Sequence, residues 1–184
     1  MISKPLTDRS ISGEGFTPSR DYPIRRKIRL PKILYRQGHV FFVTIATHQR
    51  HPWFSLHPAL AEQCVELLMS LAETRGAILY AWCLMPDHIH LLIEDDDVVD
   101  FIRLFKGRMT PLARRHEPGR RLWQRSFFDH ALRQEESVYR IALYIWENPV
   151  RAGIVVEAHE YAWSGSSVWP NFRGWYNDRP SGRG

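Results

Sequence analysis

Two apolar runs separated only by Pro86-Asp87 constrain the fold most strongly. "AILYAWCLM" (77–85) and "HIHLLIE" (88–94) each have the length and apolar content of a β-strand, and a Pro-Asp pair is typical of a tight turn. Together they predict a β-hairpin whose strands are apolar along most of their length. We therefore expect His88 to begin a strand in the centre of a sheet.

The segments around the hairpin predict the remaining strands and the first helix. "HVFFVTIAT" (39–47) is a β-branched and aromatic run typical of a strand, and "SFFDHALR" (126–133) predicts a shorter one. Between the first strand and the hairpin, apolar residues recur at helical spacing until Arg75-Gly76, which predicts the end of a helix.

Two further helices complete the predicted order. Apolar residues from Val98 to Leu112 follow one helical face, although Pro111 within this run could kink or shorten the helix. Another helix is predicted from about Glu136 to Asn148-Pro149. The order β-α-β-β-α-β-α predicts an α+β protein. We expect a ferredoxin-like or RRM-like antiparallel sheet with helices packed on one face.

The length of 184 residues and a hydrophobic content of 44% predict one globular domain with tails. The predicted limits are a flexible N-terminal tail (1–20), a single domain (21–170) and a C-terminal tail (171–184). No apolar run reaches the length of a membrane span or resembles a signal peptide, so we expect a cytoplasmic protein without a membrane partner. Cys64 and Cys83 lie in apolar contexts and are expected to be buried thiols.

The positive charge of the chain is concentrated in two segments. The net charge is +5, and residues 19–36 contain seven Lys or Arg against one Asp, while a second basic stretch covers 103–125. Basic segments interleaved with aromatic residues favour nucleic acid as a partner, although a solvated basic surface is the alternative. The candidate phosphate contacts are Arg25, Arg26, Lys27, Arg29, Lys32, Arg36, Lys106 and Arg108.

His88 and His90 are the first candidate site residues. Because strand side chains alternate, both imidazoles lie on one face, where they could bind a divalent cation or could simply be paired core or surface histidines. Tyr144 and Asn148 are four residues apart and therefore share a helical face. They could act as a nucleophile and a metal ligand, or they could be a core aromatic residue and a helix cap. His130 is a further candidate, while the other histidines have no partner at an informative spacing.

Four motifs in this order, "MPDHIHLLIE", "FKGRMT", "LWQRSFFDHALR" and "YIWENPVRAGIV", resemble those of the single-tyrosine HUH transposases. The sequence is most similar to the REP-associated tyrosine transposases of that family, from about Tyr35 to Ser167. His88-Ile89-His90 matches the HUH signature. The resemblance implies that Tyr144, rather than Tyr139, is the nucleophile and that Asn148 is a third ligand beside the two histidines.

The resemblance also implies a reaction and a substrate. The expected activity is cleavage and joining of single-stranded DNA, dependent on Mg²⁺ or Mn²⁺, through a covalent 5′-phosphotyrosine intermediate. The expected substrate is hairpin DNA of the repetitive extragenic palindrome type, and the protein is expected to be a monomer or a homodimer. Two alternatives are a non-catalytic DNA-binding module with a vestigial site and a metal hydrolase that activates water and leaves no protein–DNA adduct.

Overall fold

A five-stranded antiparallel sheet forms the centre of the protein in a computed structural model that describes residues 39–132 and 137–177. The strands are β1 (Val40–Ala46), β2 (Ile78–Met85), β3 (His88–Glu94), β4 (Phe128–Ala131) and β5 (Ser164–Gly165). Their order across the sheet is β4-β1-β3-β2-β5, and every neighbouring pair is antiparallel. The predicted hairpin is confirmed, and β3 is the middle strand.

The helices are α1 (Trp53–Leu56), α2 (Pro58–Arg75), α3 (Val98–His116), α4 (Val138–Trp146), α5 (Asn148–Arg151) and α6 (Phe172–Asn177). Apart from the short α1, α5, α6 and β5, the order is the predicted β-α-β-β-α-β-α. The α+β class with an antiparallel sheet is confirmed. No helix within the described residues is long and apolar enough to cross a lipid bilayer.

The helices pack on both faces of the sheet, which differs from the predicted single-face arrangement. One face of β3, with Ile89, Leu91 and Ile93, packs against α2 and α3. The other face, with Leu92, packs against α4. The reason is that the sheet as a whole carries buried apolar side chains on both faces, with Phe42, Ala81 and Leu92 among those on the second, so each face is stabilised by covering helices.

The ends of the two long helices follow from local sequence. Gly76, at φ 67°, ends α2 in the left-handed conformation and donates its N–H to the carbonyls of Ala72 and Glu73. Asp97 begins α3 by accepting a hydrogen bond from the amide of Asp100. Pro111 does not interrupt α3, which continues to His116 with an apolar face packed on the sheet.

The C-terminal part of the described chain is fixed to α4 by Trp146. Its indole Nε1 donates to the carbonyl of Gly165 at 3.0 Å, and its ring stacks on Phe172 with centroids 4.4 Å apart. The helix α6 (Phe172–Asn177), which lies within the segment predicted as a C-terminal tail (171–184), is thus attached to α4 through Phe172. The predicted N-terminal tail (1–20) and residues 178–184 lie outside the described residues.

Gly165 allows a close approach that no other residue permits. A Cβ at this position would lie 2.1 Å from Cζ2 of the buried Trp82. We expect Gly165→Ala to lower the free energy of unfolding by about 1–3 kcal/mol, the usual cost of overpacking. Urea titration followed by circular dichroism measures the change.

Gly107 in α3 provides the matched control, because a Cβ there meets nothing within 4 Å. Gly107→Ala should stabilise the protein by roughly 0.5–1 kcal/mol, since alanine is the better helix former. A Gly165→Ala protein as stable as the wild type would show that the contact with Trp82 does not constrain this position.

Candidate functional site

His88 and His90 bring their outer ring nitrogens together on one face of β3. The two Nε2 atoms are 3.0 Å apart, and the rings meet edge to face with centroids separated by 4.6 Å. The side chain of His88 is 13% exposed, whereas His90 is buried. The predicted common face of the two imidazoles is therefore present, with their Nε2 atoms converging on one point.

Each histidine is oriented from behind through its Nδ1 atom. His88 Nδ1 lies 2.6 Å from Asp87 Oδ1, and His90 Nδ1 lies 2.9 Å from Thr44 Oγ1. A carboxylate accepts, so His88 donates from Nδ1 and its Nε2 presents a lone pair when the ring is neutral. Burial, followed by the charges of His88, Arg50 and Arg151, holds the pKa of His90 well below its usual value, which favours a neutral imidazole.

This arrangement fits a divalent cation. Two ligands held at right angles about 2.1 Å from an ion are about 3.0 Å apart, which matches the separation of the Nε2 atoms. The carboxylate and hydroxyl behind the rings are the kind of support that metal-binding histidines have. Within residues 39–132 and 137–177, no group of three or more His, Cys, Asp or Glu has metal-binding geometry, so other ligands would come from amide oxygens, water or substrate.

The turn before α1 adds a cation beside this pair. Gln49 and Arg50 both have φ of 56°, a left-handed conformation that costs about 1–3 kcal/mol per residue for side chains other than glycine. Arg50 Nε contacts Asp87 Oδ2 at 3.1 Å. Burial would raise the pKa of Asp87, but the hydrogen bond with His88 and the charges of His88 and Arg50 outweigh it and lower that pKa.

Tyr144 lies on the same face of the sheet as the histidines. Its ring contacts Phe42 edge to face at 6.3 Å, and Phe42 in turn stacks on His90 at 5.5 Å. Tyr139, the competing tyrosine, packs instead against Trp169 at 5.9 Å. The structure therefore brings Tyr144, and not Tyr139, into the group of rings that includes His90.

Asn148 and Arg151 both converge on the carbonyl of Tyr144. Asn148 Nδ2 donates to the carbonyls of Tyr144 and Ile145 at 3.1 Å each, which gives it the role of a cap on α4. In the described part of the chain, no hydrogen bond is made to its Oδ1, the atom that would act as a ligand. Arg151 also donates to the Tyr144 carbonyl, and its guanidinium lies 4.1 Å from the centre of the tyrosine ring.

The basic residues predicted to contact phosphates differ in their surroundings. Lys106 is half-buried and donates to the carbonyl of Gln124 at 2.8 Å, and burial together with the charge of Arg121 lowers its pKa to about 8. Arg108 is exposed on the same helix, α3. The six predicted contacts nearer the N-terminus lie outside the described residues: Arg25, Arg26, Lys27, Arg29, Lys32 and Arg36.

His130 lies on the face of the sheet that carries the histidine pair. It lies opposite Phe42 in the β1–β4 register, so its side chain emerges on the same face as His90. Phe128, two residues earlier on β4, is 39% exposed and contacts Phe42 edge to face at 6.2 Å. Trp123, by contrast, is buried in the core under α3.

A second histidine cluster was not recognisable from sequence spacing. The Nε2 atoms of His51 and His57 both lie 2.9 Å from Glu117 Oε1, and these hydrogen bonds lower the pKa of Glu117 to about 2. The cluster joins the segment around α1 to the end of α3. The residues are 60 and 66 positions apart, which explains why no local pattern indicated them.

Comparisons with known proteins agree with this architecture. A family model described as "Transposase IS200 like" matches residues 36–148. The chain is 25% identical over 135 residues to a REP-associated tyrosine transposase of Escherichia coli K12, covering 71% of this chain and 78% of that protein. It is 23% identical over 166 residues to an uncharacterized Haemophilus influenzae protein, covering 68% and 88% of the two chains.

A solved structure shares the fold. A REP-associated tyrosine transposase bound to a REP hairpin superposes with a TM-score of 0.61 at 22% identity, covering 76% of this chain and 82% of that one. The family model and the Escherichia coli relative confirm the resemblance to the REP-associated tyrosine transposases that the motifs indicated, and the solved structure confirms the fold.

Replacing Lys106 or Arg108 by alanine should change the stability of the protein to different extents. Lys106→Ala removes a donor from the Gln124 carbonyl and should lower the free energy of unfolding by about 1 kcal/mol. Arg108→Ala, at an exposed position on the same helix, should leave it within about 0.5 kcal/mol. Chemical denaturation of the two variants in parallel measures the difference, and equal stabilities would contradict a structural role for the Lys106 ammonium.

Proposed function

The chain belongs to the IS200-like transposase family, and on this premise we propose that it cleaves and rejoins single-stranded DNA through a covalent 5′-phosphotyrosine intermediate at Tyr144. The observation that carries the proposal is the sequence of ring contacts from Tyr144 through Phe42 to His90. A nucleophilic side chain and a pair of ligand-type imidazoles thereby share one face of the sheet. Binding alone requires no such combination.

In the proposed reaction, one phosphodiester bond of the DNA is exchanged for a bond between the same phosphorus and the Tyr144 oxygen. The Tyr144 hydroxyl loses its proton to water, its oxygen bonds to the phosphorus, and the bond from phosphorus to the 3′ oxygen of the preceding nucleotide breaks. That 3′ oxygen takes up a proton and leaves as a hydroxyl, while the 5′ phosphate remains on Tyr144. Because the phosphodiester energy is retained in the covalent link, a 3′ hydroxyl can reverse the step and rejoin the strand.

His88, His90 and the Asn148 side-chain oxygen are the proposed ligands of Mg²⁺ or Mn²⁺. The convergence of the two Nε2 atoms and the support of each Nδ1 argue for such a site. A bound divalent cation supplies charge neutralisation and polarisation of the scissile phosphate. The chain itself orients the imidazoles through Asp87 and Thr44 and keeps His90 neutral by burial.

We take hairpin DNA with an adjoining single strand as the substrate, because the relatives named above include a REP-associated transposase with a REP hairpin bound. Arg108 and the basic residues between Arg25 and Arg36 are proposed to bind backbone phosphates. Tyr144 contacts Phe42 of its own chain, which favours a site completed within one protomer, so a monomer is sufficient although a homodimer is compatible. We propose a cytoplasmic location for this activity.

Replacing the nucleophile provides the direct test. Tyr144→Phe should abolish the covalent protein–DNA adduct while leaving the dissociation constant for the hairpin nearly unchanged, since only the hydroxyl is lost. The measurement is a denaturing gel of labelled hairpin DNA incubated with the protein and Mn²⁺ or Mg²⁺. Tyr139→Phe, on the same helix but packed against Trp169, is the control and should retain the adduct.

The same gel separates the proposal from its alternatives. An adduct that persists in Tyr144→Phe would exclude Tyr144 as the nucleophile. Free cleavage products without any adduct would indicate a metal hydrolase. Binding without cleavage or adduct in the wild-type protein would indicate a non-catalytic DNA-binding module.

Asp87 provides a test of the proposed cation site. Asp87→Asn should weaken Mn²⁺ binding about 10- to 100-fold, because the carboxylate that orients His88 and increases its basicity is lost. Electron paramagnetic resonance of free Mn²⁺ during titration measures the affinity. Asp96→Asn, an exposed residue with the same loss of charge, should bind Mn²⁺ as the wild type does, and equal affinities of the Asp87 and Asp96 variants would exclude this role of Asp87.

A further inference from the structure

Resting on the proposed function, we infer that Arg151 is a further residue of this site, which positions the Tyr144 side chain and binds the phosphate that Tyr144 attacks. The HUH pair does not include it, and the motif "YIWENPVRAGIV" contains it without giving it a role in the site. Its assignment comes from where α5 places the guanidinium. Three features of that placement support the role.

The first feature is direct contact with the nucleophile on two sides. The guanidinium carbon lies 4.1 Å from the centre of the Tyr144 ring, and a guanidinium nitrogen donates to the Tyr144 carbonyl. A cation over the face of an aromatic ring is attracted by the ring electrons, and the hydrogen bond to the main chain fixes where that cation sits. Together the two contacts restrict the ring of Tyr144 to one orientation.

The second feature is the reach of the charge across the site. The Tyr144 ring beneath the guanidinium contacts Phe42, and Phe42 stacks on His90. Arg151 therefore lies on the same side of the sheet as the histidine pair. A phosphate held between Tyr144 and the histidines would lie within the field of this guanidinium.

The third feature is unused capacity for hydrogen bonding. The Arg151 side chain is 41% exposed, and the carboxylate that pairs with it among the described residues, Glu147, is 3.5 Å away and 39% exposed. Such an exposed pair is weak and screened by solvent. A guanidinium has five N–H donors in a planar fork that suits phosphate oxygens, and the carbonyl of Tyr144 uses only part of that fork.

Arg50 differs from Arg151 in what its guanidinium contacts. Arg50 also lies close to the histidine pair, but its Nε is 3.1 Å from Oδ2 of Asp87, the carboxylate that contacts His88. It therefore acts on the orientation of His88 through that carboxylate. Arg151 is the guanidinium that contacts the nucleophile itself.

The test compares Arg151→Gln, Arg151→Lys and Arg151→Ala with the wild-type chain. Single-turnover adduct formation on saturating labelled hairpin DNA gives the rate, and hairpin binding by the same variants combined with Tyr144→Phe gives the affinity without cleavage. We expect the rate of Arg151→Gln to fall about 10²- to 10³-fold, the usual effect of removing one donor to developing charge, with only a small change in affinity. Arg151→Lys should recover part of the rate, since it restores the charge without the planar fork.

Chemical rescue separates a role in the site from a structural one. Guanidinium ion, added far below the concentrations that unfold proteins, should accelerate adduct formation by Arg151→Ala and not by Tyr144→Phe. Arg103→Ala is the charge-matched control, because Arg103 pairs with Asp100 on α3, on the opposite side of the sheet, and its rate should be unchanged. Because rescue is measured on the folded fraction, it also remains informative if Arg151→Ala is less stable.

Four outcomes decide the inference. A rate for Arg151→Gln equal to the wild type overturns it, as does a loss of thermal stability without guanidinium rescue or partial activity in Arg151→Lys. A wild-type chain that forms no adduct overturns the proposed function itself. A slow, rescuable Arg151→Ala beside a normal Arg103→Ala supports the assignment.

Discussion

The register between β1 and β3 is the constraint on which the candidate site depends. Thr44 lies opposite His90 and Ala46 lies opposite His88, so the hydroxyl behind one imidazole is supplied by the neighbouring strand. A slip of one residue would turn both histidines into the core under α2 and α3, where Ile89 and Leu91 now lie. The apolar alternation of β3 therefore fixes the direction of the histidines as well as the core.

The apolar cluster between the sheet and α4 connects this register to Tyr144. Phe42 is buried with Leu92 beneath α4, yet the same ring stacks on His90 and meets Tyr144. It acts both as a packing residue and as the spacer between the two halves of the site. Trp146 holds the other side of α4 through Gly165 and Phe172, so the helix is fixed at both edges of its buried face.

Much of this arrangement could be predicted from sequence because it depends on local periodicity. The hairpin around Pro86-Asp87, the shared face of His88 and His90, and the end of α2 at Gly76 follow from patterns a few residues long. The packing of α4 on the second face could not be predicted, because an amphipathic helix does not indicate which surface it covers.

Contacts between distant segments were also inaccessible to sequence patterns. Thr44 behind His90 depends on strand pairing across 46 positions, and the attachment of Lys106 to Gln124 depends on the course of the loop before β4. Arg151 is an intermediate case. It follows Tyr144 by seven residues, about two helical turns, but its approach to the Tyr144 carbonyl depends on the break between α4 and α5.

Because of this break, the groups that surround the Tyr144 carbonyl come from a short stretch of the chain. Pro149 has no N–H to offer Ile145, and side chains close the end of α4 instead, with Asn148 and Arg151 both turning back to the Tyr144 carbonyl. Eight consecutive residues thus set their own internal geometry, and inserting or deleting one within them would rotate the partners by about 100° around the helix axis. A change in the length of this segment would therefore disturb the site directly, because the covalent chain sets the spacing of Tyr144, Asn148 and Arg151.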